Sequence, residues 1–259
     1  FAGGYTFAPG DVITWPLDFL AQDETVTLTV DVTVTDEQGA TDSREVIVTV
    51  TGTNDAPVIS EEPVVTGDVI EGSDLTDSGA ISFADVDQTD DLTVSFNLAE
   101  AAVAWSAGTL SETQEADLLG AFSLDETLFG NDGTVTWTYD VPESVVDFLG
   151  ENETVTLTIP VAVTDEEGES DSREVTITIT GSNDAPEITA TSDAQPETEQ
   201  GVSASGTINF TDVDLNDTPD VTAAPPSVSY TAADGETDLT STLAPAQLAA
   251  VTAAAAFAL

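Results

Sequence analysis

The sequence repeats itself, and this bounds the fold more tightly than any other feature. Glu24–Ile59 and Glu153–Ile188 align without a gap at an offset of 129 residues, and roughly 25 of the 36 aligned positions are identical. Self-similarity at a fixed period marks a repeat array. The period is close to the commonest domain size, so one copy is long enough to hold its own core. It is far longer than a solenoid unit of about 20–50 residues, so independent beads on a string are expected.

Within each copy the side chains alternate. Val26, Leu28, Val30, Val32 and Val34 alternate with Thr25, Thr27, Thr29, Asp31 and Thr33, and Val155, Leu157, Ile159, Val161 and Val163 follow the same rule. In the next segment Val175, Ile177 and Ile179 share one face, with Thr176, Thr178 and Thr180 on the other. A period of 2 rich in β-branched residues predicts half-buried antiparallel strands. Pro160 on the outward face suggests an edge strand or a bulge. Asp36-Glu37-Gln38-Gly39 and Asp165-Glu166-Glu167-Gly168 carry hairpin-turn chemistry. Trp137 and Tyr139, on one face of a short strand, are expected in the core rather than on a sugar-stacking platform. Leu110–Leu124 reads as an amphipathic helical turn. Its counterpart Leu243–Leu259 is too short and weakly apolar for a membrane span and is expected to be a packed helix, with AFSL (121–124) aligned on AFAL (256–259). Arg44 and Arg173 are expected to pair with carboxylates on their own sheets. About seven strands per copy predict an all-β fold of tandem Ig-like β-sandwiches in an elongated array.

The joints are TGTNDAP (51–57) and TGSNDAP (180–186). Asn-Asp stops a strand, and Ala-Pro holds the next segment extended. They divide the chain into the C-terminal part of a first repeat (1–55), a complete middle repeat (56–185) and the N-terminal part of a third (186–259). The sequence does not begin with Met and is expected to be a piece of a longer protein.

Fifty Asp and Glu against two Lys and Arg give a net charge of -48. Phosphate binding needs Lys and Arg, so a nucleic-acid partner is excluded, and an anionic membrane is disfavoured for the same reason. Such acidity also accompanies disorder, but the period-2 strands argue against it here. A salty habitat or solubility would explain the charge as well as bound cations would. There is no Cys and no His, so disulfides, thiolate or imidazole metal sites and His-based triads are absent.

The acids gather toward the ends of the copies. The middle copy carries Glu71, Asp85-Val86-Asp87, Glu153, Asp165 and Asn183-Asp184, and the third repeats Asp212-Val213-Asp214 with Asn209 and Asn216 nearby. A hard cation such as Ca²⁺ takes six to eight oxygens from carboxylates and carbonyls. Asp-x-Asp in a loop turns two carboxylates to one side. The alternative reading is a set of solvated turn residues.

The string ETVTLTxxVxVTDExGxxDSREVxxTxTGxNDAP resembles a VCBS-type repeat, a cadherin-like sandwich of very large bacterial surface and secreted proteins. The resemblance covers the whole middle copy more loosely. It implies calcium held between adjacent domains. Asn54 and Asp55 would then meet Asp85, Asp87 and Asp165 at the first joint, and Glu71, Asn183 and Asp184 would meet Asp212 and Asp214 at the second. Glu153 is a looser carry-over, and Asp36 would serve a joint before Phe1. Two departures stand out: NDAP is shorter than the NDNAP of cadherins, and Gly52 or Gly181 stands where an acid precedes that motif.

The implied function is structural. The chain would be an extender segment of a giant extracellular bacterial adhesin, on the cell surface or secreted, stiffened by calcium and serving attachment or biofilm cohesion. Its partners would be neighbouring repeats or identical subunits, and any glycan, ice or host ligand would be met only by domains outside this segment. Export as an unfolded chain is likewise an implication of the family. One alternative is a filament or surface-layer subunit whose copies assemble side by side or end to end. Another is a carbohydrate-binding module, which would need aromatics beyond those the core consumes. An enzyme is not expected: paired carboxylates suit a glycosidase, but here they track the joints.

Overall fold

The computed structural model describes residues 17–61, 65–125, 127–191, 207–224 and 227–254. In chain order the strands of the first and middle copies are β1 (Thr25–Thr35), β2 (Thr41–Thr51), β3 (Val58–Ile59), β4 (Thr66–Ile70), β5 (Thr76–Ala84), β6 (Leu92–Phe96) and β7 (Ala102–Trp105). Helix α1 (Glu112–Leu119), β8 (Phe122–Leu124), β9 (Leu128–Phe129), β10 (Asp132–Asp140), α2 (Glu143–Val146), β11 (Thr154–Thr164) and β12 (Ser170–Thr180) follow. The third copy holds β13 (Glu187–Thr191), β14 (Ile208–Thr211) and α3 (Pro245–Ala254). The chain divides into two compact units. One is residues 1–185 together with Val213–Asn216, and the other is Pro186–Asp212 with Asp217–Leu259.

The middle copy is an all-β sandwich. One sheet runs β3-β5-β10-β8, and the other runs β4-β12-β11-β6-β9 with β7 also paired to β11. The alternating residues meet between them. Val155, Leu157, Ile159, Val161, Val163, Val175, Ile177 and Ile179 are fully buried, facing a layer that includes Ile81, Phe83, Val135, Trp137 and Tyr139. Phe122 stacks on Trp137 at 6.3 Å between ring centroids. The Tyr139 hydroxyl donates to the Leu118 carbonyl at 3.0 Å, which satisfies the one polar atom this ring brings into the core.

Four expectations need correction. β11 is an interior strand, so Pro160 marks no edge. β7 pairs with Val155–Thr158 and β6 with Val161–Thr164, and Pro160 lies in the gap between those ladders, where its carbonyl accepts from Asn97 N (3.2 Å) and a missing N–H leaves no acceptor stranded. The helix at 110–124 is shorter than expected. A capping box of Ser111 and Gln114 starts α1, but Phe122–Leu124 pairs with Trp137–Tyr139 as a strand. Arg173 donates to the backbone carbonyls of Ser60 and Glu61 and, among the described residues, to no carboxylate. In the third copy α3 forms, yet Leu248 and Val251 on it are exposed, and AFAL (256–259) lies outside the described residues. No helix among the described residues is long and apolar enough to cross a membrane.

The length of β12 sets where functional groups collect. Eleven residues at about 3.3 Å each separate its ends by roughly 33 Å. At its first end lie the β11–β12 turn and the loop after β5, tied to the linker after the first joint by Ile59 N donating to Asp171 Oδ2 (2.8 Å). At its far end Glu71 N donates to the Thr180 carbonyl (3.0 Å).

The first copy's β1 and β2 pair in the register of β11 and β12, with Thr25 opposite Thr51 as Thr154 is opposite Thr180. Among the described residues no second sheet faces them, and Leu28 is 37% exposed where Leu157 is 0%. In the other unit, β13 and β14 pair antiparallel with an irregularity between Ile188 and Ala190. The same substitution should therefore have unequal effects at repeat-equivalent positions. Leu157→Ala is expected to cost about 2–5 kcal/mol, and Leu28→Ala less than about 1 kcal/mol, read from urea unfolding followed by tryptophan fluorescence.

Candidate metal centre

The first joint gathers its acids through backbone turns. The β11–β12 turn closes on Gly168 at φ +95°, a conformation glycine adopts without a Cβ penalty. That turn is held by Asp165, whose Oδ1 accepts from Gly168 N (2.7 Å) and Glu169 N (2.8 Å). Its Oδ2 accepts from Asn54 Nδ2 at 3.0 Å. After β5, Asp87 N donates to Asp85 Oδ1 (3.0 Å), a local turn that brings the two side chains together. Asp55 N donates to Asp87 Oδ2 (2.8 Å) and so ties the linker to the loop.

The five groups expected at this joint are thus brought together, and two more join them. Oxygens of Asp85, Asp87 and Asp90 lie within 4.8 Å of one another, as do oxygens of Asp90, Asp165 and Glu167. Asp87 is fully buried, and Asp85, Asp90 and Asp165 are at most 7% exposed. Among the described residues, Asn54 Oδ1, Asp85 Oδ2, Asp87 Oδ1 and Asp90 Oδ2 are buried with no hydrogen-bond partner. Buried polar atoms are ordinarily paired, and a buried charge requires a counter-charge. Every donor in the set is a hard oxygen, which suits Ca²⁺ or Mg²⁺ and not a thiolate- or imidazole-seeking metal.

The far end of the sandwich carries a second set. Glu71 is 2% exposed. Its Oε2 accepts from Ser182 N (2.8 Å), and its Oε1 is buried without a partner. Oxygens of Glu71, Glu143 and Asp147 lie within 4.8 Å. Asp184 N donates to Asp214 Oδ2 (3.0 Å), and Asn183 Nδ2 donates to the Asp184 carbonyl (2.8 Å). Asp212 belongs to the other compact unit. Asp36 sits exposed in its turn, with Oδ1 accepting from Gln38 N and Ala40 N, the same turn anchoring that Asp165 provides.

Glu153 has a different occupation. Oε2 accepts from Trp105 Nε1 (3.1 Å) and Gly150 N (3.3 Å), and Oε1 accepts from Asn216 Nδ2 (2.9 Å). It is not among the clustered acids. Its counterpart Glu24 accepts from Ala21 N (3.1 Å) and Thr89 Oγ1 (3.0 Å). The agreement extends further. Leu215 N donates to the Phe148 carbonyl (3.1 Å) as Gln88 N does to that of Phe19 (3.2 Å). One joint geometry is therefore written twice.

The glycine that replaces the expected acid has a steric reason. A Cβ on Gly181 would lie 2.6 Å from the Gly150 carbonyl oxygen and 2.5 Å from Leu149 Cβ, and one on Gly52 would collide with the backbone oxygens of Leu20 and Ala21. The linker passes so close to the preceding loop that no side chain fits.

Burial and crowding of like charge make these acids weak. Burial is the main cause for Glu71, whose pKa rises to about 7, with Asp184, Glu143 and Asp147 adding repulsion. Burial and then Asp87, Glu167, Asp85 and Asp165 lift Asp90 to about 6. Asp85 is raised by burial and by Asp87 and Asp165, and Asp147 by burial and Asp184.

No protein-family model matches the sequence, and no curated protein matches it significantly. Among solved structures it is similar to the EC21-23 segment of human CDH23, with 15% identity and a TM-score of 0.36, over 73% of this chain and 54% of that one. It is also similar to the extracellular domain of Protocadherin GammaB4, with 12% identity and a TM-score of 0.32, over 72% of this chain and 29% of that one. A third is the sialic acid binding region of a Streptococcus sanguinis SK1 adhesin, with 16% identity and a TM-score of 0.28, over 58% of this chain and 37% of that one. The fold assignment rests on the strand topology above.

Two outcomes are expected. Carboxyls with raised pKa values bind protons more tightly folded than unfolded, so metal-free protein is stabilised by them below about pH 4.5 and loses that stability as pH rises through about 6 to 7. The melting temperature of chelator-treated protein should fall across that window. Gly181→Ala should destabilise the joint by about 1–3 kcal/mol through forced displacement of the 149–150 loop, seen as faster amide exchange there than in β11.

Proposed function

We propose that this chain is a load-bearing segment of an extracellular adhesive array whose joints are stiffened by bound calcium. The carrying observation is the set of buried, unpartnered oxygens of Asn54, Asp85, Asp87 and Asp90 at the first joint. These groups, with Asp165 and Glu167, would hold the ion there. Glu71, Glu143, Asp147 and the Asn183-Asp184 linker with Asp214 would serve the second joint, to which Asp212 is assigned by sequence equivalence with Asp85. Asp36 serves the same role toward a preceding repeat. When bound, a divalent ion replaces carboxylate repulsion with shared ligation. The acids then change from a source of swelling to a brace between copies.

An array of this kind sets reach and stiffness. Its place is outside the cell, on a bacterial surface or secreted, where calcium is plentiful. Extracellular modules bind calcium at roughly 10⁻⁴–10⁻³ M, so the joints stay loaded outside a cell and empty within it. The VCBS-type resemblance of the ETVTLT to NDAP stretch supports the adhesin reading. A sugar-binding platform is less well supported. Trp137 and Tyr139 are buried, and Trp105 packs edge-on against Phe148 at 5.3 Å while its N–H is held by Glu153.

Saturating calcium at about 100 Kd would contribute about 2.7 kcal/mol per site. Chelation at constant ionic strength is therefore expected to lower the melting temperature by several degrees. An unchanged melting temperature would remove the calcium reading. Changing Asp85 and Asp87 together to Asn should reduce the ions bound at the first joint and leave β content intact. Equal binding by parent and double variant would return the pair to the status of solvated turn residues.

A further inference from the structure

The turn that leads into β11 holds a side chain that neither the core nor the metal centre uses. Asn152 is exposed and sits in the left-handed region at φ +62°. Its N–H donates to the Gly181 carbonyl (3.2 Å), and Glu153 N closes the turn on the Gly150 carbonyl (3.0 Å). The first copy builds the same turn around Asp23 at φ +65°, with Asp23 N donating to the Gly52 carbonyl and Glu24 N to that of Ala21. Asn and Asp are the non-glycine residues that tolerate this conformation best. The backbone therefore accounts for either residue here and gives no preference to the amide. Among the described residues the Asn152 side chain makes no hydrogen bond.

What the amide changes is chemistry. Asn152-Glu153-Thr154 is an N-x-T tripeptide, and its counterpart Asp23-Glu24-Thr25 is not. An Asn followed two residues later by Thr is the acceptor that asparagine glycosyltransferases read on surface loops. Two other tripeptides fit the pattern, Asn209-Phe210-Thr211 and Asn216-Asp217-Thr218. Both are otherwise engaged: Asn209 lies within β14 opposite Ala190, and Asn216 Nδ2 donates to Glu153 Oε1 (2.9 Å). Asn152 alone of the three combines an exposed turn with an unengaged amide, and Thr154 follows it on the half-buried outward face of β11.

We propose that Asn152 is an N-glycosylation site, modified by a transferase that uses a nucleoside-diphosphate sugar. Nδ2 attacks the anomeric carbon of the sugar while a base of the transferase takes one of its two protons. The bond from that carbon to the diphosphate oxygen breaks, and the nucleoside diphosphate leaves. The product is a neutral, hydrated group beside the Gly181 linker, on a chain of net charge -48. The proposal goes beyond the calcium reading and does not depend on it, since neither Asn152 nor Thr154 is among the clustered acids.

The test incubates the folded 259-residue chain with uridine diphosphate glucose and an asparagine glucosyltransferase that reads N-x-S/T, followed by peptide mapping in the mass spectrometer. The peptide holding Asn152 should gain the mass of one hexose before those holding Asn209 and Asn216 do. Asn152→Asp keeps the turn, as Asp23 does in the first copy, and should lose the gain at this peptide. Thr154→Val keeps the β-branched shape of the strand residue without its hydroxyl and should lose it too, whereas Thr154→Ser should retain it. Near-ultraviolet dichroism from the buried Trp137 reports that each variant is folded. A folded parent chain that gains no hexose at Asn152 overturns the proposal. So does equal modification of all three sites, or a Thr154→Val chain modified at Asn152 as fast as the parent.

Discussion

Carboxylates buried without a basic partner are the interaction on which the rest of this structure depends. Two arginines cannot neutralise fifty acids, and Arg173 is engaged with backbone carbonyls. The sandwich core is apolar and tolerates no such charge. The acids are instead driven to the ends of the strands, where Asp85, Asp87, Asp90 and Asp165 are buried together. Either protons or a cation must compensate them. The raised pKa of Asp90 and Glu71 is the proton answer, and the all-oxygen donor set is the cation answer.

Beside this crowded acid cluster the joint carries a set of direct hydrogen bonds. Glu24 and Glu153 latch the end of one copy to the loop of the next, and the Phe19 and Phe148 carbonyls take an N–H from the same loop. These hydrogen bonds form without any ion. Next to them the acidic cluster crowds like charge. Gly52 and Gly181 are the steric condition for both, since only glycine lets the linker pass against the preceding loop.

Much of this was legible in the sequence, for identifiable reasons. Alternation over eleven residues specifies a strand, and the identity between copies specifies a shared register, so β1–β2 and β11–β12 follow directly. The joint residues Asn54, Asp55, Asp85, Asp87 and Asp165 were found because they recur. Asp90 was missed although its signal was present: it follows Asp87 by three residues, as Asp217 follows Asp214. Glu143 and Asp147, the first residue of α2 and its C-cap, lie four apart, one helical turn, which brings them to the same side, but Glu143 has no acidic counterpart in the first copy. Pro160 was misread because propensity sees one strand and not its neighbours. The gap between β6 and β7 is a tertiary fact. Phe122–Leu124 is a strand because β10 pairs with it, which local helical pattern does not reveal.

Calorimetric titration of the chain with calcium tests the central claim most directly. The account requires saturable, stoichiometric binding with a dissociation constant of roughly 10⁻⁴–10⁻³ M, abolished at the first joint when Asp90 is replaced by Asn together with Asp85 and Asp87. A heat no larger than that of monovalent salt at equal ionic strength, or stoichiometry unchanged in the triple variant, would contradict it.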